Sequence, residues 1–116
     1  MIKLTDLILE AGKENRINSI RLVELLEKLM PSLKEAQQEE LMELTAKLLE
    51  GINEVNKMPY NYITMLEWRV TEFAVVVIPA RDLHAKLIEL QTKPTKDTNV
   101  TILEMVITAL NELYIY

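Results

Sequence analysis

The chain carries one histidine, His84, in the run Pro79-Ala80-Arg81-Asp82-Leu83-His84. A histidine titrates near neutral pH, so it can act as a general base or a pH sensor when a neighbouring group holds its ring. The neighbours here do not supply that. Asp82 lies two residues away and on a helix points in another direction, while Arg81 shares a face with Ala85 and His84 with Ile88. Neither pair joins a base to a nucleophile. There is no second histidine at metal-binding spacing, no cysteine, and no acidic loop or inward Glu-x-x-His to hold a hard cation. Glycine-rich phosphate loops, a nucleophile elbow and kinase-type motifs are absent as well. The expectation is a non-enzymatic chain without cofactor or metal, with His84 a partly exposed surface or boundary residue. A small helical enzyme or ligand carrier using His84 with Arg81 and Asp82 is the third reading.

The remaining polar and aromatic residues suit contact with another protein. Glu35, Glu39, Glu40 and Glu43, with Gln37 and Gln38, form an acidic flank on one helix, either solvated or docked on a basic partner. Trp68 stands among Met65, Arg69 and Glu72, and Trp and Arg are favoured at interface centres. Tyr60 and Tyr62, and Tyr114 and Tyr116 at the C-terminus, suit a core rim or a contact surface. The candidate interface residues are therefore Trp68, Arg69, Tyr60, Tyr62, Tyr114, Tyr116, Glu39, Glu40 and Glu43. Met30, Met42, Met58, Met65 and Met105 read as gap-filling core.

These residues sit on a chain of 116 residues with a formal charge of −5 and a pI near 4.9. Phosphate binding needs clustered Lys and Arg, so the acidic balance speaks against nucleic acid as a partner. The longest apolar run, Phe73 to Ala80, is far shorter than a bilayer span, and the N-terminus does not read as a secretory signal. No membrane partner is expected, and an intracellular location, cytoplasmic or within an assembled particle, is. Two glycines, four prolines and 49% hydrophobic residues describe much regular structure and few turns. The length fits one domain over residues 1–116.

The spacing predicts an all-α bundle of about five helices. A first helix follows Thr5 as cap, carries Leu4, Leu7, Ile8 and Ala11, and ends near Gly12. Lys13 to Asn18 reads as a polar connection. A second helix starts at Asn18 or Ser19 and ends at Pro31; Ser32 with Glu35 forms a capping box for a third. The third helix ends at Gly51 or continues to about Asn56. The connection at Pro31 is short enough to make helices two and three an αα-hairpin. Glu24 with Lys28 and Glu43 with Lys47 have the spacing of surface ion pairs. Thr92 to Asn99 is a loop whose last residues cap a final helix bearing Val100, Leu103, Ile107, Leu110 and Tyr114.

Tyr60 to Gln91 organises the rest. Ile63, Leu66, Val70, Phe73 and Val77 alternate spacings of three and four, which predicts a buried seam; Met65, Trp68, Val75, Val76 and Ile78 widen the apolar arc. Pro79 withholds an amide from the Val75 carbonyl, which predicts one long helix kinked there. Straight, residues 60–91 would measure about 48 Å, against about 35 Å for the diameter of a compact body of this size. The rod must bend or overhang a neighbour. The β-branched runs Val75–Ile78 and Val106–Thr108 leave an α+β fold with a small sheet as the alternative.

Surplus apolar helix surface makes an assembly subunit the first functional reading: a homo-oligomer or a structural component of a larger complex such as a viral particle. A small acidic inhibitor or adaptor binding a basic protein is the second. In composition alone, the chain is similar to many small subunits of viral particles and accessory proteins of mobile elements.

Overall fold

A computed structural model describes residues 13–57 and 65–113. Helix α1 spans Lys13–Leu29, a 3-10 turn Met30–Ser32, and α2 Glu35–Asn56. Then come α3 (Met65–Glu72), a π-turn (Phe73–Val77), α4 (Ile78–Thr92) and α5 (Val100–Leu113). The π-turn joins α3 to α4 without an intervening residue, so the described residues make four helical rods and no strand. Both β-branched runs are helical, and the α+β alternative falls among the described residues. The first helix expected over residues 5–12 lies outside them.

Helix α1 already includes Lys13, ahead of the start expected at Asn18 or Ser19. The Ser19 hydroxyl donates to the Arg16 carbonyl at 2.8 Å, a bond inside the helix, and Asn18 Nδ2 donates to the Glu112 carbonyl at 3.4 Å. The intended caps are thus used otherwise, and the polar stretch continues as helix. The capping box is displaced too. Ser32 Oγ donates to the Leu29 carbonyl at 2.7 Å and accepts the Asn99 amide at 3.1 Å. It ties the turn to the start of α5. Helix α2 instead begins after Lys34, whose amide donates to Gln37 Oε1 at 3.1 Å. Gln38 Nε2 closes the join by donating to the Met30 and Leu33 carbonyls at 2.8 and 3.0 Å. The cap expected ahead of α5 is present: Asn99 Oδ1 accepts the Ile102 amide at 3.1 Å.

The rods run alternately up and down, but their neighbours differ from the expected hairpin. α1 packs along α5, α5 along α4, and α4 along α2, whereas α1 and α2 meet hardly beyond the turn joining them. Polar links mark the antiparallel registers. Arg21 Nη1 meets Glu112 Oε2 at 2.8 Å between α1 and α5, and Lys86 Nζ meets Glu40 Oε2 at 3.1 Å between α4 and α2. Between the rods lies one cluster of buried side chains, in which Leu22, Leu26, Leu48, Leu83, Leu103 and Leu110 are fully covered. Each such leucine contributes about 1.5–3 kcal/mol of transfer free energy, so this layer dominates the favourable side of folding.

Where the long rod crosses α2, Gly51 is buried, and a Cβ placed on it would overlap the Val75 carbonyl oxygen and lie 2.7 Å from the carbonyl carbon. Val75 is the residue whose α-helical donor Pro79 lacks. The chain widens there: the Ile78 amide donates to the Phe73 carbonyl, five residues back, in a π-type bond. Gly51 therefore lets α2 pass against the π-turn and run on to Asn56. The Cα extents are 52 × 25 × 23 Å with a radius of gyration of 14.6 Å, against about 13 Å for an average domain of this length. The bundle is elongated, and its long axis takes up the length that was expected to force an overhang.

Candidate functional site

The predicted seam of the long rod faces the wrong way for a core. Leu66 is 71% exposed, Val70 60% and Phe73 47%, with Ile78 next along at 43%. Val77 is half-buried, and Ile63 lies outside the described residues. The side chains that enter the core are Val76, Ala80, Leu83, Leu87 and Leu90, with Trp68 and Val75 packed against it. Both sets keep the alternation of three and four. A π-turn inserts one extra residue into the helical count, so a stripe read as continuous changes sides there. α3 consequently holds Trp68 inward and Leu66, Val70 and Phe73 outward.

On that outer face the Arg81 guanidinium carbon sits 5.6 Å from the centre of the Phe73 ring, a cation–π contact across the π-turn. Arg69 and Glu67 are exposed beside the stripe. Beneath it, Trp68 and Glu72 line a cavity of about 160 Å³ with Ile52, Val55, Asn56, Val76 and Leu113. Trp68 thus belongs mostly to the junction of α2, α3 and α5 rather than to an exposed anchor. Arg69 remains a surface candidate. Tyr60, Tyr62, Tyr114 and Tyr116 lie outside the described residues.

The acidic flank on α2 is partly compensated from within. Glu40 pairs with Lys86, and Glu43 Oε1 pairs with Lys47 Nζ at 3.5 Å. Glu39 is exposed. A hydrogen bond and the charge of Glu40, with the charge of Glu89, hold the Lys86 ammonium above its ordinary lysine range. A second, shallower groove of about 470 Å³ runs between α1 and α5 over Leu25, Met105 and Ala109, closed at one end by Arg21 and Glu112. Met105 is 47% exposed there, which corrects its reading as core; Met30 and Met42 do pack against the core.

His84 is half-buried on α4 and lines neither the Trp68 cavity nor the α1–α5 groove. Among the described residues no three His, Asp or Glu side chains are grouped to hold a metal ion, and no helix is long and apolar enough to cross a membrane. The residues that sequence reasoning placed wrongly are those of the outer stripe. The usable signal was the second, interleaved repeat from Val76 through Ala80, Leu83, Leu87 and Leu90, with Pro79 marking where the two exchange sides. Comparison with protein-family models, with curated proteins and with solved structures finds no match to this chain.

Proposed function

We propose that this chain is a non-enzymatic assembly subunit, one domain whose outward α3 face seats another protein chain within a homo-oligomer or a larger complex such as a viral particle. One observation carries the reading: Leu66, Val70, Phe73 and Ile78 form an exposed apolar line on a helix whose opposite side is already packed. Isolated surface leucines need no explanation, but a contiguous apolar stripe marks a contact site. In this reading the rod bends where the π-turn meets Pro79, and that bend sets the direction in which α3 presents its face. The acidic-adaptor reading has less behind it, because Glu40 and Glu43 already have lysine partners on the same molecule. The experiment is a photo-cross-linking residue at Val70, with exposed Glu54 on α2 as control, in the cells that make the protein. A discrete adduct from Val70 and none from Glu54 is expected; no adduct, or equal adducts from both, refutes the assignment.

A further inference from the structure

The two edges of the outer stripe carry opposite charge. On one edge Arg69 stands three residues after Leu66 and four before Phe73, and Arg81 stands three after Ile78 and over the Phe73 ring. On the other edge Glu67 stands three residues before Val70, and Asp82 four after Ile78. The extra residue of the π-turn keeps each edge in line across it. All four charged side chains are exposed.

Resting on the assembly reading above, we propose that the chain seated on this face is a second copy of the same protein, with the two long rods side by side and parallel. A twofold axis along the rods lays the basic edge of one copy on the acidic edge of the other. Arg81 then faces the partner's Asp82, and the contact occurs twice. A twofold axis across the rods, the antiparallel choice, lays basic edge on basic edge and acidic on acidic, and like charges in contact oppose pairing. The pattern is thus complementary to itself in one orientation only. Four large apolar side chains with two charged edges make a small interface, so the dissociation constant belongs on the order of tens of micromolar rather than nanomolar.

Sedimentation equilibrium from about 5 to about 500 µM spans that range. The expected result is a monomer–dimer equilibrium that weakens with salt. Val70→Asp weakens the dimer at least about tenfold with an unchanged circular dichroism spectrum and melting temperature, because Val70 touches no core. Arg81→Asp and Asp82→Arg each weaken it by about tenfold, and the double exchange restores it to within about threefold, since positions 81 and 82 of the two copies then again carry opposite charges. Strengthening by Arg81→Asp alone identifies the antiparallel arrangement and overturns the proposal, as does a dimer insensitive to Val70→Asp. A chain that stays monomeric while Val70 cross-links to a different protein overturns self-pairing and leaves the assembly role standing. A monomer with no Val70 adduct removes both.

Discussion

Replacing Gly51 by alanine sets two effects against each other. In the middle of a helix, alanine is favoured over glycine by about 0.5–1 kcal/mol, because glycine loses more backbone freedom on folding. On local propensity the substitution stabilises α2. The tertiary contact reverses the sign. The new Cβ falls on the carbonyl oxygen of Val75 and 2.7 Å from its carbon, and neither atom can rotate away because both are main chain. α2 and the π-turn must separate, which loosens Leu48, Ile52 and Val76 in the buried cluster. Overpacking of this kind costs about 1–3 kcal/mol and occasionally more, and the loosened contacts add to it. The net expectation is a loss of about 2–3 kcal/mol. That corresponds to a fall in melting temperature of about 10 °C for a domain of this size. Urea unfolding followed by circular dichroism measures it, with Glu54→Ala one turn on as a surface control expected within about 0.5 kcal/mol. Val75→Ala added to Gly51→Ala does not rescue, since the obstacle is backbone. A neutral or more stable Gly51→Ala variant would refute the close crossing of α2 and the π-turn.

The exchange of inner and outer stripes is tested by paired truncations: Leu83→Ala is expected to cost about 2.7–5 kcal/mol, whereas Val70→Ala stays within about 0.5 kcal/mol in urea at a concentration where the chain is monomeric. Equal losses would restore the original seam. The Lys86 ammonium, raised by Glu40 and Glu89, contributes stability that is complete below its unfolded value and is lost as pH rises through its folded value. Lys86→Gln should therefore unfold less steeply than the parent between neutral and strongly alkaline pH, and identical pH profiles would show that the pairs contribute nothing. Thr98, buried, accepts the Thr95 amide at 3.1 Å and shares a hydrogen bond with the Thr95 hydroxyl at 2.9 Å. Thr98→Val should cost about 1 kcal/mol through the unsatisfied Thr95 amide, and an unchanged urea midpoint would show that water replaces it.

Helical class, the break at Pro31 and the Asn99 cap were legible because each depends on residues within one or two turns, whereas the sequence left the end of α2 open between Gly51 and Asn56. Local rules failed where a side chain found a distant partner. Ser32 reads as a cap by spacing, yet its hydroxyl is engaged by the Leu29 carbonyl and the Asn99 amide. Pro31 allows a tight hairpin, yet α1 packs on α5.

The amino-acid order by itself determined that the long rod carries apolar side chains at helical spacing and that Pro79 withholds an amide from the Val75 carbonyl, since periodicity and proline are properties of the chain; the π-turn that shifts the register was not legible in it. Which stripe turns inward was decided by the tertiary structure alone. Leu66, Val70 and Phe73 have the same period as Val76, Ala80 and Leu83 and are no less hydrophobic, so nothing local marks the second set as the inner one. The choice rests on α2 lying against the π-turn at Gly51, an approach that only a residue without a Cβ permits, and this contact leaves the first stripe facing outward.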